Sequence, residues 1–279
     1  MEVMAHETPL EEVTFTVLDV ETTGLTPQFG DRVCEIAVLR FRGDRELGRF
    51  RSLVNPLRPI SPGAFAVNGI RDEELADAPF FAEIVPTILG CLEDATLVAH
   101  NAPFDLSFID AELGICRLPQ LTNPVVDTLA LARRCYRFGS NSLQSVARAL
   151  GLVTRGEHRA LADVVTTRQV LDRFVADLRY RSVFTLGDLL AAQGGCVELP
   201  ERDAIPLPPE MEEALNAGGS LWFRYISAVG EETRREVTPL HVTSVGDCVY
   251  LVAFCHLRDE QRTFRLDRIV EMRATSPTP

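Results

Sequence analysis

The chain has 279 residues, 28 basic against 40 acidic side chains and a net charge of −12, and every basic residue is arginine. That balance excludes a broad basic face for duplex nucleic acid, but not an enzyme whose metal ions meet the phosphate. No apolar run is long enough for a membrane helix, and the acidic N-terminus has no apolar signal core. Seven cysteines without CxxC spacing argue for reduced thiols, against a disulfide scaffold or zinc site. The expected setting is cytoplasmic, with no membrane partner. The arginine bias reads as compositional.

Residues 1–12 read as a flexible tail. Phe15 to Leu18 form a buried central strand, which ends on two carboxylates, Asp19 and Glu21. Strand side chains repeat every second residue, so both point the same way. Two ionised groups packed side by side at the end of a buried strand are costly unless a cation sits between them. Thr22-Thr23-Gly24 follows and lets backbone approach a ligand closely. Strands over 33–41 and 49–54, joined by Gly-Asp turns, complete an antiparallel meander. Pro59, Pro62 and Gly63 then predict a loop carrying Phe65 to Ile70.

Helical spacing returns over 80–92, and Thr96 to Ala99 is a short buried strand. It runs into His100-Asn101-Ala102-Pro103-Phe104-Asp105, which opens a helix. Val125-Val126 is another strand, and Asp127 reads as the N-cap of the helix that follows. A helix over 141–150 is closed by Gly151, and a last one spans about 160–178 with Leu161, Val164, Leu171, Phe174 and Leu178 inward. His100 and Asn101 read as loop-stabilising groups, and Asp110, Glu112, Asp172 and Asp177 as solvated helix faces. The whole is an α/β domain over 13–180, a mixed sheet of three antiparallel strands followed by βα units.

The segment 181–209 reads as a linker around one apolar turn (Leu186, Leu189, Leu190). Residues 210–273 read as a small all-β domain after one short helix, and 274–279 as a tail. From 220 to 279 there are eight arginines and eight acidic residues, so any anion site in this module must be a local cluster. Arg262, Phe264, Leu266 and Arg268 alternate onto one strand face and Arg265 projects from the other.

Asp19, Glu21, Asp105, His158 and Asp163 stand out in the first domain. His158 and Asp163 are five apart and would diverge by roughly 140° on a helix, so the histidine is expected on a loop before it. Phosphodiester hydrolysis needs a deprotonated water, in-line approach and shielding of the leaving oxygen. Two divalent cations, Mg²⁺ or Mn²⁺, about 4 Å apart can supply these, and they prefer carboxylate oxygens. A neutral histidine can take the proton from the water.

Three segments, 18–25, 100–105 and 158–163, together resemble the DEDDh branch of the exonuclease superfamily, which includes the epsilon proofreading subunits of bacterial replicative polymerases. The resemblance covers about residues 13–178. It implies a ribonuclease-H-like fold and release of nucleoside 5′-monophosphates from a 3′ end. It assigns Asp19, Glu21 and Asp163 to one metal, with Asp19 bridging to a second, Asp105 acting through water, and His158 as general base. Thr22, Thr23 and Leu25 would contact the terminal nucleotide, Phe104 would pack beside the site, and Asn68, where the family carries histidine, would hydrogen-bond the nucleotide.

Residues 212–272 resemble the WYL domain, an SH3- or Sm-like module, with Val249 in the place of its tryptophan, then Tyr250 and Leu251. That resemblance implies a nucleic-acid or nucleotide-like ligand, with Tyr250, Arg262, Arg265 and Arg268 as candidates. The alternative is a core Tyr250 with the arginines paired to Asp259, Glu260 and Asp267. The expected partner is the 3′ end of DNA, single-stranded in the first instance. Alternatives are RNA or short oligoribonucleotides, and a ligand-sensing regulator with secondary cleavage. DNA repair or replication proteins are the protein partners to consider, although no polymerase-binding peptide is visible.

Overall fold

The computed structural model describes residues 7–27, 30–153, 159–197, 207–227, 230–245 and 248–275. Two compact units result. The first contains 1–23, 33–112 and 120–200; the second contains 24–32, 113–119 and 201–279.

The first unit is built on a five-stranded mixed sheet of order β3-β2-β1-β4-β5. Its strands are β1 (Thr14–Thr22), β2 (Val33–Arg42), β3 (Arg45–Leu53), β4 (Thr96–Ala99) and β5 (Val125–Asp127). The expected meander is present: β1–β2 and β2–β3 are antiparallel, whereas β1–β4 and β4–β5 are parallel. Flanked on both edges and covered by helices, β1 is central, which is why Phe15, Val17, Leu18 and Val20 are all buried. The helices of the unit are α1 (Pro62–Asn68), α2 (Asp72–Leu75), α3 (Phe81–Leu92), α4 (Ala102–Ile115), α5 (Thr128–Cys135), α6 (Leu143–Ala149), α7 (Ala160–Leu178) and α8 (Leu186–Gln193). Along α7, Val164, Leu171, Phe174 and Leu178 recur at helical spacing and enter the same core as Phe15 and Val17 of β1.

Several expectations change. The segment holding Phe65 is the helix α1 rather than a loop: Ser61 caps it through the Ala64 N–H, Pro62 occupies its first position, and Gly69 ends it at φ 66°. Those are helix start and stop signals, outweighed in the sequence by the density of proline and glycine. The apolar turn in the expected linker is the helix α8. Leu186, Leu189 and Leu190 are buried in the first core, as is Leu10 from the expected tail. Leu10 N–H donates to the Phe184 carbonyl (2.9 Å) and Leu186 N–H to the Thr8 carbonyl (3.0 Å), so the two ends of the unit are tied together. Glu112, expected in solvent, is buried and accepts from the Val33 N–H (3.1 Å).

The second unit has an antiparallel sheet of order β10-β6-β7-β8-β9. Its strands are β6 (Ser220–Ile226), β7 (Glu232–Val245), β8 (Cys248–Cys255), β9 (Glu260–Arg265) and β10 (Ile269–Thr275). Met211 and Ala214 of α9 (Pro209–Ala217) join Leu221, Phe223, Val237, Leu251, Ala253 and Phe264 in its core. The Phe264 ring meets Phe223 and Tyr225 edge-on at 5.0 and 5.3 Å. β9 stops at Arg265 and Leu266–Arg268 form a 3-10 turn, so the expected alternation of Leu266 and Arg268 along one strand face does not occur. All seven cysteines are free. Among the described residues no helix is long and apolar enough to cross a membrane.

Because α8 is part of the first core, Leu189→Ala should destabilise that unit by about 2–5 kcal/mol, read as a fall in the midpoint of urea unfolding. A true linker residue would change it negligibly.

Candidate active site

The end of β1 brings Asp19 and Glu21 to one face, and the first turn of α7 brings Asp163 to meet them. One ligand oxygen from each lies within 4.8 Å of the other two. Three hard oxygen donors converging at that spacing fit a divalent cation such as Mg²⁺ or Mn²⁺.

Electrostatics make the same point. Burial pushes the Asp19 carboxyl well above its usual range, and the neighbouring Asp105, Asp163, Glu21 and Glu35 push it further. Burial also drives Glu21 up to about 7, reinforced by Asp163 and Glu35 and opposed by Arg159. Without a cation these groups hold protons that a carboxylate near neutral pH would ordinarily have lost.

Asp105 sits in the first turn of α4, 4% exposed, and lies outside the three-oxygen cluster. Its Oδ1 accepts from the Val20 N–H (3.1 Å), which fixes it to β1 between the two strand carboxylates. Burial raises its carboxyl to about 8 against the lowering by that bond. This suits a group acting on a cation through water.

Asp163 is steadied from α6, where Gln144 Nε2 donates to its Oδ1 (2.7 Å). Neither Gln144 nor the buried Glu35, which is bonded to Arg51 and Arg159, stood out in the sequence. A single polar residue on a separate element carries no local motif. His158 lies outside the described residues.

The other expected contacts divide. Leu25 is 82% exposed. Phe104 is half-buried and packs on Phe108 with ring centroids 5.0 Å apart. Thr22 is buried, and Thr23 fully so, its carbonyl accepting from the Ser61 N–H (3.0 Å). The Thr23 side chain is therefore packing rather than an open substrate contact. Asn68 is also corrected: it is 6% exposed, with Nδ2 donating to the Thr22 carbonyl (3.3 Å) and Oδ1 accepting from the Ile70 N–H (3.0 Å). It braces the β1 terminus instead of presenting an amide to a nucleotide. His100 bridges Thr128 Oγ1 and the Asn141 carbonyl, both at 2.9 Å, in the loop-holding role expected of it. Asp127 caps α5 through the Leu129 N–H and also accepts from the Asn101 N–H, each at 2.9 Å.

In the second unit Tyr250 is half-buried and pairs across the sheet with Arg265. Arg262 is paired with Glu260 (3.3 Å) and Arg265 with Asp267. Arg268 is half-buried in the 3-10 turn. The pairing alternative thus describes two of the three arginines.

A mixed sheet with three carboxylates converging at the end of its central strand is the arrangement of the ribonuclease-H-like fold. Residues 16–171 match the family model described as "Exonuclease", and residues 208–274 match the WYL domain. The "DNA polymerase III subunit epsilon" of Treponema pallidum is 37% identical over 169 residues, 60% of this chain and 78% of that protein. A "DNA polymerase III subunit epsilon-like protein" of Rhodobacter capsulatus is 41% identical over 190 residues, 66% of this chain but 27% of its own length. Among solved structures, exonuclease X in complex with 5′-overhanging duplex DNA matches at TM-score 0.52 and 28% identity, over 64% of this chain and 99% of that one. Exonuclease I shares the fold at TM-score 0.57 and 18% identity, over 87% of this chain and 55% of that one. The chain belongs to the exonuclease family, with an epsilon-like exonuclease domain joined to a WYL domain.

The raised carboxyls set a sign for stability. Their folded values, about 7 for Glu21 and about 8 for Asp105, exceed the ordinary 4.5 and 3.8. The metal-free fold therefore binds more protons than the unfolded chain between those limits. In EDTA, the contribution of these groups makes Tm fall as pH rises from 5.5 to 8. Mg²⁺ or Mn²⁺ should raise Tm more at pH 8 than at pH 5.5, because protons compete for the same oxygens. Scanning fluorimetry at the two pH values checks both.

Proposed function

We propose that this protein is a metal-dependent 3′→5′ exonuclease that removes nucleoside 5′-monophosphates from DNA, acting on single-stranded 3′ ends. The observation that carries the reading is the convergence of Asp19, Glu21 and Asp163 within 4.8 Å at the end of the central strand.

Asp19, Glu21 and Asp163 would hold one divalent cation, Asp19 would be shared with a second, and Asp105 would reach them through water. Such cations, when bound, lower the pKa of water and offset charge on the phosphate. His158 would take the proton of the attacking water, a task suited to a side chain that titrates near neutral pH. Leu25 would press against the terminal base, with Phe104 flanking the site. The Thr22-Thr23 backbone, braced by Asn68 and Ser61, would hold the strand that approaches it.

DNA is favoured over RNA because relatives above 25% identity include proteins named for DNA polymerase III and an exonuclease solved with duplex DNA. Those polymerase relatives are also the reason to look for replication or repair proteins as partners. The WYL domain would guide nucleic acid or regulate cleavage. With Arg262 and Arg265 already paired to carboxylates, an anionic ligand there would have to displace an acidic partner.

The experiment is a panel of 5′-labelled single-stranded DNA, recessed duplex and RNA with Mg²⁺ or Mn²⁺. A ladder shortening from the 3′ end of single-stranded DNA is expected. It should vanish with EDTA and fall by about 10²–10³-fold or more in Asp19→Ala. Faster cleavage of RNA overturns the DNA reading, and no cleavage of any substrate overturns the exonuclease.

A further inference from the structure

Glu35 is a carboxylate with no place in the reaction, yet it is fully buried beside the cage. It lies on β2 directly opposite Glu21 of β1, and paired residues of antiparallel strands project to the same face. A free carboxylate there would compete for the cation. Instead its oxygens are occupied. Oε1 accepts from Arg51 Nε (2.6 Å) and Arg159 Nη2 (3.4 Å), and Oε2 from Arg159 Nε (3.1 Å) and the Ala160 backbone N–H (3.3 Å).

Two of those donors define where α7 begins. Arg159 is the N-cap residue, with φ −135° and ψ 124°, and its side chain makes no capping bond of its own. The Ala160 N–H is one of the first-turn donors that a helix cannot satisfy internally. A carboxylate from another strand takes it, so Glu35 is a cap supplied in trans at a helix end that favours negative charge. The first turn then closes from Arg159, whose carbonyl accepts from the Ala162 N–H (2.8 Å) and the Asp163 N–H (3.2 Å). Asp163 is thus tied to the point that Glu35 holds.

We propose that Glu35, through Arg159 and the Ala160 N–H, is the positioning residue that sets Asp163 into register with Asp19 and Glu21. The proposal rests on reading those three carboxylates as the cation cage. Arg51 plays a different part. It neutralises Glu35 from β3 and is not bonded to α7 in this cluster, so the two arginines that share one carboxylate should differ in effect.

The test reads Mn²⁺ binding by calorimetry on the full chain without nucleic acid, alongside Tm in EDTA. Glu35→Gln and Arg159→Ala should each weaken Mn²⁺ binding by about tenfold, the low end for residues that orient metal ligands. Their combination should be no worse than either alone, since they form one link. Arg159→Lys should recover part of the loss. Arg51→Ala should stay within about twofold of wild type even where its Tm falls. If Glu35→Gln does not fold, Arg159→Ala decides, because Arg51 and the Ala160 N–H still engage Glu35. Wild-type affinity in the Arg159→Ala variant overturns the proposal, as does an equal loss in Arg51→Ala, which would mark a general effect of stability. Wild-type protein that does not bind Mn²⁺ overturns it together with the cage. Wild-type protein that binds Mn²⁺ but degrades no nucleic acid overturns the exonuclease reading alone and leaves this one standing.

Discussion

The first unit is organised around mutual repulsion. Asp19, Glu21, Asp105 and Asp163 are crowded where β1 ends, α4 starts and α7 starts, and each makes the charged state of another harder to hold. Hydrophobic packing of β1 and α7 has to hold this arrangement in place. The core built from Phe15, Val17, Val164, Leu171 and Phe174 serves that end: strand and helix are locked over their length so that their polar ends can be forced together. A cation reverses the sign of the interaction, turning the least favourable corner of the fold into a binding site.

The surroundings keep that corner from relaxing. A carboxylate under repulsion can swing away, draw in an arginine or take up a proton. Asp105 cannot swing, because the Val20 N–H holds it to the strand. Asp163 is held by Gln144, a neutral donor that orients the carboxylate without cancelling its charge. The guanidinium groups of Arg51 and Arg159 are both engaged by Glu35. The fifth carboxylate thereby holds two arginines beside the cage rather than in it.

Much of this was legible in the sequence. The alternation ending in Asp19 and Glu21, the helix start at Asp105 and the spacing to Asp163 are local patterns, each written in consecutive residues. So were the meander and the β character of the second unit. What was not legible depends on residues distant in the chain. Glu35 and Arg159 are 124 positions apart, and although Arg159 falls within the 158–163 segment, Glu35 belongs to no motif that would pair the two. Asn68 has the chemistry of a nucleotide contact, and only the fold shows that the Thr22 carbonyl and the Ile70 N–H already occupy it. The α1 helix is not legible although its cap and stop are present, because Pro56, Pro59, Pro62 and Gly63 give the segment the composition of a loop.

The α8 helix has a bearing on how such a chain came to be assembled. The match to the exonuclease family model ends at residue 171, but Gln193 on α8 accepts from the Asp127 N–H and donates to the Val125 and Gly195 carbonyls, hydrogen-bonding at the β5 edge. The segment that the family model matches is thus shorter than the segment that packs into the first core. A gene fusion or domain swap spliced just after residue 171 would leave a sheet edge unsatisfied and a core missing Phe174, Leu178, Val183, Leu186, Leu189 and Leu190. The seam along which the WYL domain can be exchanged lies beyond residue 195, some two dozen residues past the end of the family-model match.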